Sequence, residues 1–398
     1  ACWSLEAAEI LRGTYLSNPQ MDGMSITWIA NSPNVGEVKY GTTNGNYDKV
    51  APIFRCDTIP AWDGGKYGKS PEQYGCKARI RDLVPGQVYY YEISGNGLTN
   101  SKTGSFKIPK GDAPLTVVFI GDAAVGARKA ELSFDKDVSY VDTYVKNGTD
   151  IGKDEDGVDL IVDVGDTEQH GNIMTDPKYF TCLSRIPIIV VSGNHDNGSS
   201  VPGAHIIKYL DLDNNDMSCY VDYGPARWVL MGWEAGYSLA YIENKRPGYE
   251  GTWNSLYTSN GMKWIEKGLK ETTREWKFFV NHNCFFTDSS RSDPAHGNMT
   301  ARRQQAWPLF MKHNVRLVFN GHDHVYQRTH QIDKDGNIVN NGIYNLTVSG
   351  GYSMRWQESS WMAKFLNQGD STCAPLKQGG SSSKGEGGWQ GAVYLMIN

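Results

Sequence analysis

The segment Leu317-Val318-Phe319-Asn320-Gly321-His322-Asp323-His324 ends an apolar run at a glycine and follows it at once with two histidines one residue apart. Two imidazoles leaving the end of a buried strand beside one site are suited to holding a metal ion. Four other stretches repeat the plan. Leu115 to Ile120 runs into Gly121-Asp122, and Asp159 to Val164 runs into Gly165-Asp166. Ile186 to Val191 runs into Gly193-Asn194-His195-Asp196, and Lys277 to Val280 runs into Asn281-His282. Each apolar run thus ends in Asp, Asn or His. Oxygen and imidazole donors together suit Zn, Fe or Mn, and a carboxylate able to bridge favours two ions close together. Two ions roughly 3.5–4 Å apart can clamp the attacking and leaving oxygens of an in-line displacement at phosphorus, and one of them makes hydroxide available near neutral pH. The chemistry implied is phosphoester hydrolysis.

The elements that must position these residues follow from the same runs. Near-continuous apolar stretches suit strands buried on both faces, and in open α/β sheets ligands collect beyond the carboxyl ends of strands. From Leu115 onward, strands alternate with helical patterns, among them Gly261 to Lys270 and Arg302 to Asn314, as in α/β folds. Trp264 and Ile265 fall on the core side of the first of these. A Gly/Ser-rich loop, Gly379 to Gly388, precedes a last strand over Ala392 to Ile397.

The first hundred or so residues read differently. Met24 to Ile29, Gly36 to Tyr40 and Gln87 to Ile93 are short strands separated by turn signals, the spacing of an all-β sandwich. The stretch Leu83-Val84-Pro85-Gly86-Gln87-Val88-Tyr89-Tyr90-Tyr91 resembles the segment of fibronectin type III domains that leads into a tyrosine-bearing strand. This part holds no cluster of ligand-type residues, so it reads as a packing or positioning module. The polar segment Pro109 to Pro114 marks the boundary, giving one domain over residues 1–109 and a second over 110–398.

A hydrophobic fraction of 39% with 21% charged residues is ordinary for a globular protein with a large core. A net charge of −5 gives no support for nucleic-acid binding, and no apolar run is long enough to span a membrane as a helix. The chain opens Ala1-Cys2-Trp3 without Met, which reads as a mature chain whose targeting segment has been removed or trimmed off. Sequons at Asn147, Asn197, Asn298 and Asn345 fit the same route, which implies an extracellular or secretory-lumen location. Seven cysteines include no CxxC pattern. Cys56 and Cys76 flank a loop-like segment rich in Gly, Pro and Asp and are expected to pair, whereas Cys284 reads as a buried small side chain.

Taken together, Gly121-Asp122, Gly165-Asp166, Gly193-Asn194-His195-Asp196, Val280-Asn281-His282 and Gly321-His322-Asp323-His324 resemble the calcineurin-like metallophosphoesterase superfamily. The preceding sandwich and the run Gly321 to Arg328 make the chain most similar to the purple acid phosphatases. That resemblance implies an α/β (α+β) four-layer fold, with two mixed sheets packed together and flanked by helices, behind a fibronectin type III-like domain. It also implies hydrolysis of a phosphate ester by a metal-bound hydroxide at a dinuclear centre. Carried over residue by residue, Asp166 bridges the two ions, Asp122 and His324 hold the first, and Asn194, His282 and His322 hold the second. His195 faces the phosphate as a hydrogen-bond donor oriented by Asp196. His296 stands either as the general acid or as an ordinary loop histidine.

The departures carry as much weight. The purple acid phosphatases place a tyrosinate ligand to ferric iron three residues after the bridging Asp, where this chain has Gln169. After its first Asp it has Ala123-Ala124 in place of a glycine, or of the metal-binding histidine of other superfamily members. The first ion is left with Gln169, with Glu168 or His170, or with water. Losing an anionic ligand favours divalent over trivalent ions and implies a colourless protein. It also implies the alternative of a weakened or inactive homologue that serves as a secreted binding or structural protein.

Overall fold

The computed structural model describes residues 7–63, 69–121, 158–166, 181–193, 206–212, 218–232, 259–286, 298–322, 327–348 and 393–397. The first part is a run of ten strands: β1 (Ile10–Gln20), β2 (Gly23–Ala30), β3 (Glu37–Gly41), β4 (Lys49–Ala51), β5 (Ile53–Ile59), β6 (Trp62–Asp63), β7 (Lys69–Ser70), β8 (Gln73–Ile80), β9 (Val88–Ser94) and β10 (Lys102–Lys107). Strands β1, β2, β8 and β5 lie side by side in one sheet, and β10, β9, β3 and β4 form another. The alternation of side chains puts Met24, Ile26 and Trp28 of β2 in one core with Tyr91 and Ile93 of β9 and Phe106 of β10. This is the all-β sandwich expected from the strand spacing.

Strand β2 is nevertheless buried along its whole length, which a one-sided sandwich strand would not be. Its second face is covered by the other half of the chain. Ile29 packs with Leu183, Ile186, Tyr209 and Leu210. Strand β1 also pairs in parallel with β13 (Ile188–Val190), Ser17 opposite Ile188, so one sheet runs from the sandwich into the second part.

In that second part β11 (Leu115–Ile120), β12 (Leu160–Asp163) and β13 are parallel neighbours, with β20 (Val393–Ile397) antiparallel at the edge. A second mixed sheet has the order β14 (Cys219–Tyr223), β15 (Ala226–Met231), β16 (Trp276–Asn281), β17 (Leu317–Asn320), β19 (Tyr344–Thr347) and β18 (Gln327–Arg328). Helix α1 (Ile206–Tyr209) lies against the sandwich, while α2 (Ser259–Lys270) and α3 (Asn298–Lys312) cover one face of the second sheet. All five apolar runs are strands, divided three and two between the sheets. The faces that look at each other are aromatic and aliphatic: Phe119 stacks on Phe319 with centroids 3.8 Å apart and meets Trp228 at 6.0 Å.

Two readings from the sequence change here. Cys56 and Cys76 do more than flank a loop: they stand directly opposite each other on β5 and β8, with sulfurs 3.0 Å apart. Asn345 is fully buried in β19 and its amide donates to the Phe286 carbonyl at 3.1 Å. A glycan acceptor must be exposed, so this sequon offers none in the folded chain. The pattern of Asn-Leu-Thr within a buried strand carries no sign of that, because the triplet says nothing of which face its Asn takes.

Asp211, just beyond α1, fastens the second part onto the sandwich. Its buried carboxylate accepts hydrogen bonds from Arg79 at 2.6 and 2.8 Å and from Ser25 at 2.6 Å. Burial pushes its pKa up, but these hydrogen bonds and the Arg79 charge outweigh that and hold it below the ordinary value. Backbone approach is equally close: a side chain on Gly75 of β8 would overlap the Lys208 carbonyl.

Asp211→Ala is therefore expected to lower the unfolding free energy by about 3 kcal/mol, read by urea titration. A carboxylate with a depressed folded pKa stabilises above its unfolded value near pH ~4 and loses that contribution as pH falls through the folded value. The variant should accordingly show a flatter loss of stability with acid than the parent chain. An equal acid dependence in both would contradict the assignment.

Candidate metal centre

Strand β12 ends at Asp163, and two residues later the backbone turns sharply. Gly165 has φ +101° and Asp166 φ +57°, both left-handed, which lifts the Asp166 carboxylate off the end of the sheet. Glycine is required at position 165: a Cβ there would lie 2.7 Å from both the Gly193 nitrogen and His282 Nδ1. Gly193, at the end of the run after β13, lets the Asp166 carboxylate lie against its backbone.

From the facing sheet, β16 runs through Asn281 into His282, and β17 runs through Asn320 and Gly321 into His322. His322 is itself left-handed at φ +72°. The two strand ends are tied twice. Asn320 donates its amide to Asn281 Oδ1 at 2.5 Å, and the Gly321 N–H donates to the His282 carbonyl at 2.8 Å. The two imidazoles stand 5.1 Å apart, edge to face.

Asp166, His282 and His322 thereby converge, each offering one ligand atom within 4.8 Å of the others. Asp166 and His282 are fully buried, and Asp166 Oδ2 lies 3.2 Å from His282 Nε2. Donors about 2.0–2.1 Å from one zinc ion are separated by about 2.9–3.4 Å at angles between octahedral and tetrahedral, so the spacing fits a shared ion.

The hydrogen bonding agrees. His282 Nδ1 is 2.8 Å from the Val164 carbonyl, which can only accept, so the proton sits on Nδ1. In the neutral ring Nε2 then presents a lone pair to a carboxylate. Two acceptors facing each other at hydrogen-bond distance in a buried site need a cation between them, a second proton or a metal ion. A backbone carbonyl that orients a histidine in this way also supports metal binding.

Of the residues singled out in the sequence, the structure brings together Asp166, His282 and His322. Asp122, Gln169, Asn194, His195, Asp196, His296 and His324 lie outside the described residues, as do Glu168 and His170. Cys284 is buried, its thiol donating to the Gly321 carbonyl at 2.9 Å, as expected for a structural residue. The Val164 carbonyl and the Asn281–Asn320 amide pair escaped the sequence reading. Any residue supplies a carbonyl, so the first leaves no trace in sequence; the second was visible only as two amides next to ligand motifs.

Comparison with known proteins gives a consistent picture. The model of the calcineurin-like phosphoesterase family matches residues 115–326, and that of the purple acid phosphatase N-terminal domain matches residues 12–108. Among curated relatives in Arabidopsis thaliana, "Probable inactive purple acid phosphatase 24" is 23% identical over 66% of this chain and 44% of its own length. "Probable purple acid phosphatase 20" is 24% identical over 79% of this chain and 68% of its own length. The chain thus spans less than half the length of the first. The structure of a purple acid phosphatase from yellow lupin (Lupinus luteus) seeds superimposes with a TM-score of 0.64 at 18% identity, over 87% of this chain and 66% of the lupin chain. At that identity the likeness is one of fold.

Gly193→Ala is expected to force the Asp166 carboxylate aside, since its methyl group would occupy that volume, and to cost about 1–3 kcal/mol of stability. Urea unfolding reads the loss. Unchanged stability would show that Asp166 does not need the space.

Proposed function

The chain belongs to the calcineurin-like phosphoesterase family, and we propose that it is a secreted, metal-dependent hydrolase of phosphate esters working with two divalent ions. The observation that carries the reading is the buried approach of Asp166 Oδ2 to His282 Nε2, with Nδ1 of the same ring bonded to the Val164 carbonyl and His322 beside them. Asp166 would be shared by the two ions, His282, His322 and Asn194 would complete the second ion's set, and Asp122, His324 and Gln169 would serve the first. Bound ions supply Lewis acidity, lowering the pKa of a water ligand so that a nucleophile exists near neutral pH.

The chain's own groups do the rest. His195 donates to a non-bridging phosphate oxygen and Asp196 holds its ring, while His296 passes a proton to the leaving oxygen. Residues 110–398 form the catalytic unit, and residues 1–109 position it, a role supported by the Asp211 clasp.

A second reading is a catalytically weakened or inactive homologue that serves as a secreted binding or structural protein. Gln169, standing where the purple acid phosphatases carry a tyrosinate, favours it, and so does the word "inactive" in the names of two relatives.

Elemental mass spectrometry on protein purified without chelator, alongside hydrolysis of p-nitrophenyl phosphate, separates the two. The hydrolase reading expects two divalent ions per chain, no visible absorption band, and turnover that Asp166→Asn abolishes together with the metal. Metal uptake without turnover supports the second reading, and a folded chain that takes up no Zn, Mn or Fe overturns the hydrolase reading in favour of the binding or structural one.

In an oxidising compartment the facing thiols form a Cys56–Cys76 disulfide by exchange with a small-molecule disulfide. The hydrogen bond from Cys76 lowers the Cys56 thiol to about 7, which makes it the attacking group. Peptide mapping of secreted protein under non-reducing conditions should recover the two cysteines linked. Cys56→Ser should cost about 3 kcal/mol relative to the oxidised chain, and recovery of both as free thiols would contradict the pairing.

A further inference from the structure

Asp163, the last residue of β12, is fully buried yet stands outside the set of ligand residues read from the sequence. A carboxylate is kept at such a position only where hydrogen bonds offset its loss of water. Its Oδ1 accepts the Gly165 N–H at 2.9 Å. Asp163 is itself fixed by the sheet: its carbonyl accepts the Val191 N–H at 3.0 Å, and the next residue, Val164, donates to the Ile120 carbonyl at 2.8 Å. The side chain thus reaches from the strand end to Gly165, the first of two residues, Gly165 and Asp166, at which the backbone turns left-handed. A left-handed conformation at a residue with a Cβ costs roughly 1 kcal/mol or more and persists only where the surroundings impose it.

This short segment supplies two features of the centre. Asp166 gives a carboxylate, and the Val164 carbonyl holds the proton on His282 Nδ1, leaving Nε2 to face that carboxylate. We propose that Asp163 is a positioning residue for the metal centre: its carboxylate oxygen, acting as a hydrogen-bond acceptor, locks the Val164–Asp166 turn in its metal-binding shape. The inference rests on the metal-dependent reading above. What the turn requires is an acceptor at this place, and an asparagine oxygen can serve as well as a carboxylate.

The test is zinc affinity of apo-protein, measured by competition with a chromophoric chelator, for the parent chain and for Asp163→Asn, Asp163→Val and Asp163→Ala, each with its melting temperature. Asp163→Val and Asp163→Ala should bind zinc about 10- to 100-fold more weakly, and Asp163→Asn within about threefold of the parent. Asp163→Ala keeps the test open if the valine variant does not fold. Parent-like affinity in the alanine and valine variants, even with lowered melting temperatures, would make Asp163 a purely structural residue and overturn the inference while leaving the metal centre standing. An asparagine variant as weak as the valine one would overturn the acceptor role. A parent chain that binds no zinc would remove the functional reading and this inference with it.

Discussion

The hydrogen bond from His282 Nδ1 to the Val164 carbonyl joins the two sheets of the second part at the point where they hold their functional residues. Its donor follows β16 of one sheet and its acceptor follows β12 of the other, so the two strand ends can satisfy it only when the sheets sit at one fixed separation. The aromatic contacts of Phe119 with Phe319 and with Trp228 across the two sheets set that separation. With the proton committed to Nδ1, the other ring nitrogen can only meet Asp166 across a cation. Packing, tautomer and site chemistry are in this sense one constraint.

The same dependence reaches back into the sandwich. Because β1 adds to β13, the strand that leads to Gly193 lies inside a sheet continuous with the first part of the chain. Asp211 and the close approach of Lys208 to Gly75 hold the segment that follows. The first part therefore buries an edge that would otherwise be open and anchors Lys208 and Asp211, without offering ligand residues among its described positions.

Much of this was legible in the sequence, and for a physical reason. Strands buried on both faces must be apolar almost throughout, so Leu115 to Ile120 or Lys277 to Val280 stand out in any composition. A glycine or small polar residue at each end then marks where the chain can turn and expose a ligand. The division of the five strands between two sheets was not legible, since pairing partners are chosen by tertiary packing and not by the strand's own pattern. Nor was the second buried face of β2: Ser25 and Thr27 look like solvent-side residues until Asp211 and its neighbours cover them. Asn345 shows the same limit, a motif that reads as exposed lying in a strand that is not. At the site, Asp166, His282 and His322 were recognisable from residue type and spacing, whereas the carbonyl and amide partners that orient them depend on backbone positions that sequence does not encode locally.

The central claim is that a metal ion lies between Asp166 and His282. Anomalous diffraction from crystals grown with zinc, collected on both sides of the zinc absorption edge, tests it most directly. The account predicts a peak about 2.0–2.2 Å from Asp166 Oδ2, His282 Nε2 and a ring nitrogen of His322. A map with no peak there, and with the His282 Nε2 to Asp166 Oδ2 contact retained as a direct hydrogen bond, would contradict it.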